Sequence, residues 1–282
     1  MMAHAMLSLS SRGEVLSTLA RAHDIGVEAY TLHGAVLRAV EAAAQRGARV
    51  AVALDGSPPH DTGGRLAAEN RRLARELRAS GAAVTLAKGV HAKEIRADGE
   101  LYLDEKNWDT GDLVVREDDY VAARAIPAIK HKALAREASL LSGARRADGV
   151  IVESESFGCC NSVDGALAAL ARAGAAPRLL VSERDLRGNL RERKAIEKLV
   201  RDGAQVRVCR DSEKLAVAGD RAWLGSANAT VAFGAADCID WGLCTGDAAI
   251  VRAVRDRLEA QWRSAKPYVA SALDTEEPLR VS

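Results

Sequence analysis

The sequence predicts an α/β fold built twice in tandem, each copy a mixed sheet with flanking helices. Three observations carry this. Helix-period and strand-like segments alternate along the chain, the rhythm of a sheet with helices on its faces. Short stretches recur between the two halves: SGAAVTLAK (80–88) parallels DGAQVRVCR (202–210), and GAVLRAV (34–40) parallels GALAALA (165–171). Polar residues recur at one fixed offset, positions 91, 93 and 107 having counterparts at 212, 214 and 228, each 121 residues on. A period near half the chain indicates two copies of one unit, not a solenoid of short repeats.

Each element follows from its local pattern. In the first copy, the spacing predicts a helix over 13–23, a strand over 27–32 (VEAYTL) and an Ala-rich helix over 34–46 closed by Gly47. ARVAVAL (48–54) is a buried-type strand that ends in the loop DGSPPHDTGG. A polar helix over 64–79, Gly81 and the strand AAVTLA follow. In the second copy, strands over 149–154 and 177–182 enclose a helix over 164–174. A helix over 190–203 leads to the strand AQVRVC. The join lies around 130–148, which divides the chain into repeats of 1–130 and 131–282, with a poorly ordered tail expected from Ser271.

Composition narrows the function classes. A net charge of +1 argues against a general duplex-binding surface, which needs a broad basic field. Aromatics at 4% argue against a long stacking platform for single strands. The five cysteines, Cys159, Cys160, Cys209, Cys238 and Cys244, have neither disulfide-framework nor zinc-site spacing. Adjacent Cys159 and Cys160 are expected to be small buried residues. The N-terminal run lacks a charged n-region and a cleavage site, and no stretch approaches the ~18 apolar residues of a membrane span. The expectation is a cytoplasmic protein with no transmembrane segment; the oligomeric state is open.

The repeated polar set suggests phosphate chemistry. His91 and Lys93 alternate, so both point to one face of an extended segment. A lysine beside a histidine makes a small cationic site, and Asn107 can add neutral hydrogen bonds to phosphate oxygens. A neutral imidazole is a competent nucleophile when a carboxylate on its other nitrogen fixes the tautomer.

His91, Lys93 and Asp98, then Asn107, resemble the H-x-K-(x)4-D and G-S-x-N signature of the phospholipase D superfamily. The run GDRAWLGSANAT (219–230) is similar to the family's segment after its second motif. The resemblance extends from about residue 27 to about residue 263. It implies two phospholipase D-like repeats packed about a pseudo-two-fold axis. It also implies a mechanism without metal or other cofactor, in which one histidine attacks phosphorus and a second protonates the leaving group and then activates water. His91 takes the nucleophile's place, with Lys93 and Asp98 in its motif. Asn107, Lys214, Ser226 and Asn228 take phosphate-binding places. The substrate implied is a phosphodiester: a phospholipid, a nucleic acid or a small diester.

Two departures bear on activity. The second histidine is replaced by Ser212, and the second aspartate position is Gly219, with Asp220 one place late. The first copy has Asp104-Glu105-Lys106-Asn107 in place of G-S-x-N, setting a carboxylate where an anion binds. Asp240 is the candidate backing carboxylate in the second copy and Asp112 in the first. His60, in SPPHDTGG, is a candidate replacement acid against the plainer reading of an exposed loop histidine. His131 is expected on the linker surface. The competing function is a catalytically impaired relative that binds a phosphorylated ligand or acts as a scaffold. A third is a hydrolase of activated esters whose leaving groups need no acid.

Overall fold

The computed structural model describes residues 7–58, 61, 63–108, 113–117, 127–187, 189–210, 213–230 and 238–270. The first copy runs β1 (Leu7–Ser10), α1 (Arg12–Arg21), β2 (Asp24–Ala29), α2 (Gly34–Gln45), β3 (Arg49–Asp55), α3 (Arg65–Ala79) and β4 (Ala83–Ala87). It closes with the antiparallel strands β5 (Lys93–Ala97), β6 (Glu100–Asp104) and β7 (Val114–Glu117). The second copy repeats the plan with β8 (Pro127–Ile129), α4 (Lys130–Ser142), β9 (Ile151–Ser154), α5 (Ser162–Arg172) and β10 (Arg178–Ser182). Then come α6 (Glu183–Leu186), α7 (Leu190–Arg201), β11 (Gln205–Cys209), β12 (Leu215–Ala218), β13 (Arg221–Gly225) and β14 (Ile239–Thr245). A final helix, α8 (Ala248–Ser264), and the two-residue β15 (Lys266–Pro267) follow.

The strand orders make the duplication plain. The first sheet reads β1-β7-β6-β5-β2-β3-β4, and the second reads β8-β14-β13-β12-β9-β10-β11-β15. In each, three parallel strands carry the helical crossovers, and four antiparallel strands extend the sheet from the first of them, while β15 adds antiparallel to the other edge of the second. β8 belongs to the second sheet through β14, so that sheet begins a few residues ahead of the expected join at 131.

Packing follows from the sequence pattern. Val36, Val40, Ala43 and Ala44 fall on one stripe of α2 and are buried. β3 alternates, with Val50, Val52 and Leu54 turned into the core. Three apolar layers result. One backs the first sheet and one backs the second. The third lies between the copies, where Leu101, Leu103 and Val115 meet Leu215, Leu224, Trp241 and the α8 residues Val254 and Leu258. The interface is also tied by charge: Glu213, fully buried, takes Arg257 of α8 and Lys106 of the first copy, the latter at 3.4 Å.

Two expectations are corrected. The strand placed at 27–32 runs from Asp24 to Ala29. Asp98 N–H donates to Asp24 O at 3.0 Å and its carboxylate receives the His23 and Asp24 N–H groups, which holds the earlier residues in the sheet. Tyr30 turns away because Asn70 of α3 takes its carbonyl at 2.8 Å. Cys159 and Cys160 are exposed, not buried. They lie on the turn from β9 into α5, with Cys160 at φ 69° and its N–H on Asp164, clear of the sheet face. Thr62 and the tail from Ser271 lie outside the described residues.

Trp241 tests the shared core. It is fully buried between the sheets and donates Nε1–H to the Asp104 carbonyl of the other copy at 3.0 Å. Trp241→Ala is expected to cost about 3–5 kcal/mol, with both copies melting in one urea transition followed by circular dichroism. An unchanged midpoint would show that the copies do not depend on this layer.

Candidate active site

The site forms where the first copy's β4–β5 connection meets the second copy's β14. Val90 and Ile239 form a parallel bridge: His91 N–H donates to Ile239 O at 3.0 Å and Ile239 N–H to Gly89 O at 2.7 Å. That short pairing sets His91 opposite Asp240, and His91 Nδ1 lies 2.7 Å from Asp240 Oδ1. Ser226, at the end of β13, donates its hydroxyl to the same oxygen at 2.7 Å and accepts the Trp241 N–H at 3.1 Å. The carboxylate is thus held in place before it meets the imidazole.

The electrostatics define the protonation state. Burial pushes His91 down to about 4, aided by Lys93 and opposed by Asp240. Burial pushes Asp240 up, but His91, Lys130 and Lys93 outweigh it and bring it down to about 2. At neutral pH the pair is therefore a neutral imidazole and an ionised carboxylate. The carboxylate can only accept, so the imidazole proton sits on Nδ1 and the Nε2 lone pair is free.

Lysines from both copies converge here. Lys93, at the head of β5, donates to the His91 carbonyl at 2.7 Å, and its Nζ lies 5.6 Å from the centre of the Tyr30 ring. Burial and the charge of Lys214 push it down to about 8. Lys214 pairs with Glu155 at 3.0 Å. Burial pulls Lys214 down, yet Glu155 and Glu105 hold it above its ordinary value. Lys130, at the start of α4, is buried and acts on Asp240 and His91. Tyr30 meets His91 edge to face at 5.1 Å, fixing the ring from the other side.

The amides sit on the loops after β6 and β13. The Oδ1 atoms of Asn107 and Asn228 are buried with no hydrogen-bond partner among the described residues. The backbone next to Asn228 is fixed: Ala229 N–H donates to Ser154 Oγ at 2.9 Å, and Ala229 O receives Gly158 N–H and Asn161 Nδ2. Gly225 must be glycine, since an added Cβ would stand 2.5 Å from the Trp223 ring. In the first copy Glu105 is fully buried and accepts the Leu113 N–H at 3.4 Å.

Asp98 does not join this constellation. It lies at the far end of β5 from Lys93, roughly 16 Å away for five extended residues, exposed, with its carboxylate on the backbone of His23 and Asp24. With Gly99 it makes the two-residue β5–β6 hairpin, both at positive φ, the Asp-Gly turn that matches strand twist. Gly219 holds the same place between β12 and β13 at φ 55°, with Asp220 exposed beside it, so neither reaches the cleft. Ser212, His60, Asp112 and the His131 side chain lie outside the described residues. The sequence reasoning missed Tyr30, Lys130 and Glu155. Tyr30 and Glu155 are each the first residue after the first parallel strand of their copy, β2 and β9, but they stand 125 residues apart, so the 121-residue offset of the repeats does not pair them.

No protein-family model matches the sequence, and comparison with curated protein sequences finds no match. Among solved structures, the chain is similar to the polyphosphate kinase of Porphyromonas gingivalis, with a TM-score of 0.65 and 18% identity over 98% of this chain and 51% of that one. It is similar to the phosphatidylserine synthase of Haemophilus influenzae Rd KW20, with a TM-score of 0.63 and 12% identity over 96% of this chain and 89% of that one. The chain therefore spans about half the length of the kinase it matches. The fold is a tandem phospholipase D-like α/β fold. No helix among the described residues is long and apolar enough to cross a membrane.

The His91 assignment is testable by titration. Its value of about 4 lies below the ordinary 6.5, so the unfolded chain takes the proton first. Its contribution to stability is full above pH 6.5 and is lost as pH falls towards 4. Imidazole NMR should show His91 neutral, with its proton on Nδ1, down to about pH 5. Asp240→Asn removes an upward pull and should lower the midpoint further. A midpoint near 6.5 in the wild type would contradict the buried neutral imidazole.

Proposed function

We propose that the chain is a phospholipase D-like phosphodiesterase that cleaves its substrate through a covalent phosphohistidine at His91. The single observation that carries this reading is the His91–Asp240 hydrogen bond across the two copies, which frees Nε2 as a nucleophile. In the first half-reaction the Nε2 lone pair attacks phosphorus, the P–Nε2 bond forms, and the P–O bond to the leaving group breaks. Lys93 and Lys214 neutralise the non-bridging oxygens, and the Asn107 and Asn228 amides donate to them. In the second, water displaces Nε2 from phosphorus. Charge stabilisation by two lysines gives the site its chemistry without calling on a metal. The substrate class is a phosphodiester, whether in a phospholipid, a nucleic acid or a small molecule. The setting that fits five free cysteines is a reduced one, the cytoplasm.

A second reading has its own support. Glu155 and Glu105 both present carboxylates to Lys214, which makes the site partly self-neutralised. A non-catalytic phosphate-binding relative fits that arrangement.

A nitrophenyl phosphodiester separates the two readings. Its leaving group departs largely unassisted, so it does not depend on a proton donor, which is otherwise worth about 10²–10⁴-fold. The wild type is expected to hydrolyse it faster than an alkyl diester, and an alkaline denaturing quench should trap the phosphoryl group on His91. His91→Ala should abolish both, and Lys93→Ala should lower turnover by at least ~10²-fold. Phosphate binding with no His91-dependent hydrolysis would establish the non-catalytic reading in its place.

A further inference from the structure

A two-step mechanism through phosphohistidine needs a group that takes a proton from water in the second step. In the second copy, Ser212 stands where the motif would carry that group, and a serine hydroxyl does not accept a proton near neutral pH. Glu155 occupies the neighbouring wall. It follows β9 as Tyr30 follows β2, and Tyr30 is the residue that touches His91 in the first copy. Its carboxylate is 3.0 Å from Lys214 Nζ, and it feels the charges of Lys93 and His91 from the other copy. A carboxylate of the second copy is thus paired with Lys214 within electrostatic reach of His91 and Lys93.

We propose that Glu155 is the general base of the second half-reaction, accepting the proton of the water that hydrolyses the phosphohistidine. The proposal rests on the phosphodiesterase reading above. The water oxygen bonds to phosphorus, the P–Nε2 bond breaks, and its electron pair returns to the imidazole. The water's proton passes to Glu155 and then to solvent or to the next leaving oxygen.

The surroundings explain how one carboxylate serves. In the empty site Lys214 is the largest influence on Glu155, and with Lys93 and His91 it outweighs burial and brings the group down to about 2. Lys130, Asp185 and Tyr30 also face it. A phosphoryl group on His91 draws the Lys214 N–H groups to its own oxygens. Glu155 then loses its strongest partner and gains a negative neighbour, and both changes raise its proton affinity. The carboxylate is a weak base until the phosphoenzyme forms and a stronger one afterwards.

The test uses the full chain with a nitrophenyl phosphodiester, following nitrophenol release by stopped flow and phosphohistidine by an alkaline denaturing quench. Glu155→Gln keeps the size and removes the base. It should still release nitrophenol and form phosphohistidine, while steady-state turnover falls about 10²–10⁴-fold and the trapped intermediate rises. Glu155→Ala should recover turnover with added formate, which a merely structural loss would not. Unchanged steady-state turnover in Glu155→Gln overturns the proposal. Loss of phosphohistidine formation in both variants also overturns it, since Glu155 would then serve Lys214 alone. Absence of trapped phosphohistidine in the wild type instead brings down the covalent reading itself, and the proposal with it.

Discussion

His91 and Asp240 come from different copies, 149 residues apart, and meet at 2.7 Å. A hydrogen bond between distant loops costs the ordering of both, so it forms only where something else has already paired them. Here a two-bond backbone bridge between the Gly89–His91 segment and Ile239 does that. The bridge in turn requires the two sheets to be packed, and the apolar layer around Trp241, Leu103 and Leu215 packs them. The chemistry of the site therefore depends on the interface between repeats more than on either repeat alone. One copy supplies an imidazole and a lysine, and the other supplies the carboxylate that sets the tautomer and the second lysine.

The charges in the cleft form a near-balanced set. Lys93, Lys130 and Lys214 are all buried, and buried lysines are rare unless paired. Asp240 offsets part of that charge and Glu155 another part. Burial lowers Lys93 and Lys130, whereas Lys214 stays high because Glu155 and Glu105 stand beside it. On the phosphodiesterase reading, an incoming phosphate competes with Glu155 for Lys214 but finds Lys93, among the described residues, hydrogen-bonded to the His91 carbonyl and beside the imidazole nitrogen. On that reading Lys93 is the first contact beside His91, and Lys214 is the lysine that exchanges partners.

Much of the architecture was legible in the sequence because a duplication states its own constraints twice. The 121-residue offset brought Lys93, Lys214, Asn107 and Asn228 into one frame, and the strand orders of the two sheets repeat accordingly. Ser226 and Asp240 were readable from the second copy's motif. The rest depended on tertiary register. Tyr30 reads as one more apolar residue of a strand until Asn70 pulls its carbonyl out of the sheet. Lys130 lies in a connecting segment whose charges look solvated in one dimension, yet it is 4% exposed. Glu155 sits in a polar loop, where only its proximity to Lys214 distinguishes it. Cys159 and Cys160 misled in the opposite direction, since a free cysteine is so often buried.

The motif aspartate shows why spacing alone misassigns roles. Lys93 and Asp98 are close in sequence, but five extended residues separate them by most of a strand's length. Asp98 closes a hairpin and ties the start of β2 to it, which fixes the register of the strand that delivers Lys93. The second copy performs the turn with Gly219, whose N–H donates to Asp148 O at 3.0 Å. A Cβ at Gly219 would meet the Asp148 carboxylate at 3.2 Å, and its φ of 55° already disfavours a side chain. The missing aspartate is therefore a different solution to a turn and takes no proton donor away from the cleft. The chemical differences that remain between the two motifs are serine against histidine at 212 and 91, and the buried Glu105 against Ser226. On the phosphodiesterase reading, the compensating group is one on a wall of the cleft, the place Glu155 holds beside Lys214.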